Sequence, residues 1–342
     1  MYLFSSSLGL MAFFISSLLS LMMIRINIQD VPNQRSSHFN PTPTAGGVGV
    51  ALSFAIVFFL SFQKDTKDPT LLAIIICSIL MGIFGLVDDV KKLAFYQKLL
   101  AQIILATIIV TFGIEIISFS FPTIGEISLP KYVSVILTVL WIVGFSNAFN
   151  FMDGLNGHAS VGALGFCILL ILLSLNTGHS TYLQLASILF FSVMGFFIFN
   201  FPRGKIFLGD SGSLFLGFFI ASLTVYISRD HTIQLSIYSV PLLFFSFIYD
   251  AFFTFLRRLI KGENVWTAHR SHLFQLLNRS GYSHLKVTLI QALFVFTQGI
   301  GAYFLKDLTN SSRIFLFIPY LALQIFYTLL IFSLVKKKKI LV

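Results

Sequence analysis

Two adjacent carboxylates, Asp88 and Asp89, close a long apolar run and are followed by Lys91 and Lys92. Adjacent carboxylates repel, and either ammonium groups or a divalent cation relieves that repulsion. Mg²⁺ is the hard ion that usually joins one or two carboxylates to the phosphates of a substrate. Taken alone, the pair suits a solvated helix end with local salt bridges equally well. A second cluster, Asn147 to Gly157, sets Asn147, Asn150 and Asp153 at a spacing of three, with Asn156 in the turn that Gly154 and Gly157 impose. That spacing is one face of a helix end, able to present amide donors and one acid to a sugar or nucleotide. Asn, Asp and Gly also build ordinary capping turns. Three polar residues on one face tip the reading toward function.

A third cluster runs from Asn200-Phe201-Pro202 through Lys205 to Gly209-Asp210-Ser211-Gly212-Ser213 and into the next apolar run. Asp210 stands where a helix begins, and an acid there is an ordinary N-cap. Free N–H groups at a helix start also attract phosphate, so an acid beside Gly and Ser is placed to hold Mg²⁺ against a pyrophosphate. The two roles are compatible. The fourth cluster, Trp266 to Gln275, carries His269, Arg270 and His272. With no third or fourth soft ligand nearby, zinc is disfavoured and contacts with phosphate or carboxylate suit the group better. Two features are weaker. The glycines of Pro41 to Gly49 follow no strand and lack complete dinucleotide spacing, so helix packing explains them. Asp250 lies inside an apolar run, where a carboxylate needs a cavity or a partner.

A membrane must position these clusters. At 342 residues with 56% hydrophobic and 11% charged side chains, the chain is too apolar for a usual soluble domain and takes lipid as its solvent. A β-barrel would show alternation instead of unbroken apolar runs. Eleven windows are long or apolar enough to be spans, near 2–24, 46–62, 70–87, 99–117, 131–148, 158–176, 182–200, 211–228, 235–256, 285–305 and 314–335. The first is too uniform for a signal peptide and lacks a basic start and a cleavage site. Cys77 and Cys167 fall inside apolar runs without neighbouring ligands, which supports neither a disulfide framework nor a Cys metal site. The expected fold class is therefore all-α, one polytopic domain over residues 1–342 with about eleven transmembrane helices.

The net charge of +10 does not form one stripe, so nucleic acid is not an expected partner. Assigning alternate loops to two sides puts seventeen of the 23 Lys and Arg on one side, including Lys91, Lys92, Lys98, Arg270 and the Lys336–Lys339 tail. The positive-inside bias makes that side cytoplasmic, and all four polar clusters lie on it. The opposite loops read as short and bland. The lysine tail is read as contact with anionic membrane lipids.

In this order along the chain, Asp88-Asp89 with Lys92, Asn147-x-x-Asn150-x-x-Asp153-Gly154-x-x-Gly157, Asn200-x-Pro202 leading to Gly209-Asp210-Ser211-Gly212-Ser213, and the late His loop resemble the polyprenyl-phosphate N-acetylhexosamine-1-phosphate transferases. That family includes the phospho-N-acetylmuramoyl-pentapeptide transferase of peptidoglycan synthesis and the initiators of O-antigen and teichoic acid chains. The resemblance implies a multi-pass enzyme of the bacterial inner membrane with its active site facing the cytoplasm. It implies Asp210 as the Mg²⁺ ligand, Asp88 and Asp89 as catalytic carboxylates, Lys92 as a catalytic phosphate contact, and Asn150, Asp153 and Asn200 as lining of the nucleotide-sugar site; the cluster readings above add His272 to the catalytic set, Asn147, Asn156, His269 and Arg270 to the substrate contacts, and Mn²⁺ as a substitute ion. The implied partners are a UDP-sugar donor and a polyprenyl phosphate acceptor, with a homodimer left open. Many relatives carry a tight His triplet where this chain reads His272-Leu273-Phe274-Gln275. The form Ala-His-Arg-Ser-His resembles the branch that starts O-antigen chains with a deoxysugar such as N-acetylfucosamine or N-acetylquinovosamine. A secondary transporter using intramembrane carboxylates such as Asp250 is the competing expectation.

Overall fold

The computed structural model of the protein describes residues 2–32, 40–61, 68–230, 232–265, 267 and 269–340. Arg35, one of the seventeen basic residues counted on the cytoplasmic side, Lys64 and Lys67, counted on the other, and Trp266 and Ala268 of the fourth cluster lie outside the described residues. The chain is helical almost throughout: α1 (Tyr2–Ile26), α2 (Gly47–Ser61), α3 (Pro69–Lys91), α4 (Phe95–Thr111), α5 (Lys131–Phe151), α6 (His158–Thr177), α7 (Ser180–Asn200), α8 (Gly209–Ser228), α9 (Ser239–Leu243), α10 (Phe245–Ile260), α11 (Leu273–Arg279), α12 (His284–Phe304) and α13 (Phe317–Lys337). Each of the eleven apolar windows contains a helix. Among the described residues, eight helices are long and apolar enough to cross a membrane, and α2 and α4 are shorter apolar helices. The ninth window is two helices, because the chain leaves helical geometry at Phe244 between α9 and α10. The short α11 sits inside the polar interruption before α12.

Two hairpins add the little sheet there is. β1 (Gln29–Asp30) pairs antiparallel with β2 (Thr42–Pro43), and β3 (Ser118–Phe121) pairs with β4 (Gly125–Ser128). The second hairpin corrects the expectation of bland loops on that side. Tyr238 Oη donates to Ser120 O at 2.9 Å, and with Glu115, Arg229 and Arg313 it lines a polar cavity of about 610 Å³.

Why the bundle closes around α8 is a matter of small residues. α8 is 89% buried along its span, against 17% for α13, so it is the central helix. Gly82 and Gly85 on α3 face it: a Cβ at Gly85 would stand 2.7 Å from Ser211 N, a separation no side chain tolerates. Gly47, at the start of α2, meets the Gly212 backbone in the same way. Close helix approach through glycine is how membrane helices gain packing where no hydrophobic driving force exists between them. Phe54, Phe215 and Phe219 fill the space beyond, with ring centroids 5.1 to 6.0 Å apart.

The geometry puts Lys92 and Glu126 at opposite ends of the bundle, on the rims lined by the two polar cavities. Single cysteines at these exposed positions, with the buried Cys77 and Cys167 silent, should be labelled from opposite sides by an impermeant thiol reagent. The expected result is cytoplasmic labelling at Lys92→Cys. Labelling of both from one side would overturn the two-ended arrangement.

Candidate active site

The α3–α8 contact brings two carboxylate-bearing helix ends together. At its C-terminus α3 ends on Lys92, which adopts a left-handed conformation with φ 53° and donates its N–H to Asp88 O. A turn of three residues, Lys92 to Ala94, then starts α4, where Ala94 N donates to Gln97 Oε1 at 2.9 Å. That reversal swings Lys98, in the first turn of α4, back over the end of α3. Its ammonium donates to Asp88 Oδ2 at 3.0 Å and to Asp210 Oδ2 at 2.9 Å. Asp88 is completed by Leu93 N, 2.6 Å from Oδ1. Asp210 is completed by Asn150 Nδ2 at 3.0 Å, and the same amide donates to Ser213 Oγ at 2.8 Å.

Asp89 does something different. Its two oxygens accept from Asp210 N at 2.9 Å and Ser211 N at 3.1 Å, so a carboxylate on α3 caps the start of α8 in trans. This corrects the expectation that the first N–H groups of α8 are free for phosphate: Asp89 has already taken them. Asp210 is therefore not the cap of its own helix, and its side chain is turned toward Lys98 and Asn150.

Beside these groups lies a cavity of about 270 Å³. Of the residues singled out in the sequence, Asp89, Lys92, Asn150, Asp153, Asn156, Asn200 and Asp210 line it. Asp88 lies behind the lining, joined through Lys98. Asn200 lines it while locking the turn, since its Oδ1 accepts from Gly157 N and its Nδ2 donates to Ile206 O at 2.8 Å. Asn147 is not brought into it: its amide donates to Gln102 Oε1 at 2.7 Å and to Val143 O at 2.8 Å, an interhelical clasp between α5 and α4. His269, Arg270 and His272 also lie off the lining, and their loop reaches the cavity through Gln275. Lys98, Asp30, Thr44 and His284 are the site residues that sequence reasoning passed over. A short α3–α4 turn was the available signal for Lys98, because antiparallel neighbours place the first turn of one beside the last turn of the other.

Electrostatically the site is overloaded with negative charge. Asp88, Asp89, Asp153 and Asp210 converge, and among the described residues only Lys98 pairs with two of them. Lys92 stands 3.9 Å from Asp30. Burial, then the charges of Asp210 and Asp89, push the Asp153 carboxyl well above the usual carboxylate range. Burial, aided by His272, Arg258 and Arg257, brings His269 down to about 3, so its ring is neutral and brings no charge to its loop. Its Nδ1 faces Ser271 N at 3.3 Å and Ser271 Oγ at 3.0 Å.

Does this donor set fit a metal? All the donors are hard oxygens. Asn156 Oδ1, on the cavity, is buried without a partner among the described residues. No three His, Cys, Asp or Glu side chains form a ready cage among those residues. That pattern suits Mg²⁺, which keeps waters and substrate phosphates beside one or two carboxylates, and not a structural zinc.

The glycosyl transferase family 4 profile matches residues 71–228, the segment that holds nearly all of α3 through α8 and, of the site's carboxylates, Asp88, Asp89, Asp153 and Asp210. A Bacillus subtilis protein named a probable undecaprenyl-phosphate N-acetylglucosaminyl 1-phosphate transferase is 30% identical over 305 residues, 88% of this chain and 84% of that one. The decaprenyl-phosphate N-acetylglucosaminephosphotransferase of Mycobacterium tuberculosis is 30% identical over 324 residues, 86% of this chain and 80% of its own. A phospho-N-acetylmuramoyl-pentapeptide-transferase of Lactobacillus johnsonii is 34% identical over 223 residues, 57% of this chain and 64% of its own.

If Lys98 is the cation that holds Asp88 and Asp210 together, Lys98→Met leaves two part-buried carboxylates facing each other. Catalytic turnover should fall by about a hundredfold, the scale for one lost charged donor at developing phosphate charge. Lys98→Arg should recover part of it. Wild-type turnover in Lys98→Met would remove Lys98 from the site.

Proposed function

The chain belongs to glycosyl transferase family 4, and on that footing we propose that it transfers an N-acetylhexosamine-1-phosphate from a UDP-sugar to a polyprenyl phosphate at the cytoplasmic face, releasing UMP. The observation that carries this reading is the cluster of Asp88, Asp153 and Asp210 beside an open cavity at the helix ends of a membrane bundle. Lipid-borne phosphate arrives at that depth, and a nucleotide-sugar arrives from water.

An oxygen of the acceptor phosphate attacks the sugar-linked phosphorus, and the bond from that phosphorus to the UMP oxygen breaks. Two anions must meet, so positioning and charge neutralisation carry most of the catalysis. Asp210, with Asp153 across the cavity, would hold Mg²⁺, which supplies Lewis-acid neutralisation of the diphosphate. Lys98 is within reach of both Asp88 and Asp210 and can pass its donors to phosphate oxygens as they arrive. Lys92, exposed on the cavity rim, adds a second cation. Asn150, tied to Asp210 and Ser213, holds the metal-side carboxylate in one rotamer. A base is barely needed, because a phosphate monoester has its second pKa at about 6 and is mostly dianionic at neutral pH. Asp88 has both oxygens engaged and stands off the cavity lining, which favours direct attack over an aspartyl-phosphate intermediate.

The transporter alternative loses its motive. Asp250 is buried because it binds the cytoplasmic loop, accepting from Leu273 N at 2.8 Å, and Asp88, Asp89, Asp153 and Asp210 gather at or just beyond helix ends. The product would initiate a surface polysaccharide of the O-antigen type. Relatives named for N-acetylglucosamine make that sugar the first donor to test, and the deoxysugars matching the Ala-His-Arg-Ser-His loop belong beside it.

Purified protein with polyprenyl phosphate, Mg²⁺ and a panel of UDP-N-acetylhexosamines should release UMP only when both substrates are present. Chelation by EDTA should stop release and added Mg²⁺ restore it. Absence of UMP with every donor in an otherwise folded preparation would refute the assignment.

A further inference from the structure

α10 turns one face toward the loop that follows it. Asp250, Thr254, Arg257 and Arg258 fall at i, i+4, i+7 and i+8, the spacing of a single helical stripe. Asp250, Arg257 and Arg258 grip the loop, and Thr254 supports Asp250. Arg257 Nη2 donates to Ser271 O at 2.8 Å. Arg258 donates to Glu263 Oε2 at 2.8 Å, Asn264 O at 2.7 Å and Thr267 O at 3.1 Å. Asp250 takes the far end: Oδ1 accepts from Leu273 N at 2.8 Å and from Thr254 Oγ1 at 3.0 Å, and Oδ2 accepts from Phe274 N at 3.2 Å. Oδ1 also lies 3.1 Å from His272 Nδ1.

A carboxylate surrounded by backbone donors is an acceptor only, so the ring nitrogen facing it must carry the proton. We propose that Asp250 is a positioning residue: it fixes His272 as the Nδ1–H tautomer and leaves the Nε2 lone pair to accept from a hydroxyl or amide N–H of the donor substrate. The inference rests on the transferase reading above and adds to it the device that aims the loop. The ring packs among Phe151, Phe274 and His269, with centroids 5.7, 5.9 and 4.8 Å away, which hold its plane beside Asp250. Among the described residues Nε2 makes no hydrogen bond. His272 N is held by Gln275 Oε1 at 3.2 Å, and Gln275 itself lines the cavity, so the ring is anchored one helical turn from the site. A cap alone would not require this residue type: Asn or Ser serves a helix start, whereas a charge in an apolar helix is costly. The ring is the partner that makes the charge worth keeping, as in other carboxylate–imidazole pairs where the carboxylate sets the tautomer.

The test reads the ring directly. In protein labelled with ¹⁵N-histidine and assigned with His272→Gln, His272 should show a protonated Nδ1 and an unprotonated Nε2. Asp250→Asn, whose amide can turn a donor to the ring, should shift the population toward the Nε2–H form. Its turnover should fall by about a hundredfold with KM for the donor little changed, the pattern of a lost orienting carboxylate. In a His272→Ala background the same change should cost nothing more. A wild-type ring protonated at Nε2, or additive losses in the double variant, would overturn the proposal. The ring state of the wild-type protein is read without turnover, so a silent transferase assay would count against the proposed reaction and leave this result standing.

Discussion

Asp88, Asp89, Asp153 and Asp210 come from three separate stretches of chain and meet at one rim of the bundle, where Lys98 bridges two of them. Like charges do not assemble in a low-dielectric setting unless something holds them and something compensates them. Much of the surrounding architecture answers one of those two needs. The glycines of α3 and α2 let their backbones reach the start of α8, and Asp89 then ties α3 to α8 by capping it. The α3–α4 turn delivers the compensating ammonium. What remains uncompensated is the reason to expect a divalent cation, through which phosphates can then bind.

Asp88 and Asp89 show how adjacent side chains divide labour. Successive positions on a helix point about 100° apart, so neighbours cannot serve the same partner. Asp88 faces Lys98 behind the cavity lining, and Asp89 faces the backbone of α8. The latter role makes Asp89 part of the frame that sets where Asp210 sits, even though it also lines the cavity.

The membrane class, the windows and the cavity-lining acids and amides were legible because each rests on a local pattern: a run of apolar residues, a spacing of three, a polar residue at a helix end. What escaped depends on tertiary placement. Lys98 was one of many loop cations until the turn at Lys92 brought it back over Asp88. Asn147 shares its helical face with Asn150, yet one turn of rise places it against Gln102 on α4 instead of the cavity. His269 was read as a contact for phosphate or carboxylate, and burial keeps its ring neutral. The broken ninth span and the β3–β4 hairpin were hidden for the same reason, since apolar composition alone does not report a kink at Phe244 or a four-residue strand.

Metal at the Asp210 rim is the claim on which the rest turns, and Mn²⁺ offers a direct spectroscopic view of it. Purified wild-type protein should bind about one equivalent of Mn²⁺, seen as loss of the free-ion electron paramagnetic resonance signal and reversed by excess Mg²⁺. In Asp210→Asn that binding should disappear while thermal unfolding of the metal-free protein stays close to wild type. Equal Mn²⁺ binding by a folded Asp210→Asn variant would contradict the account.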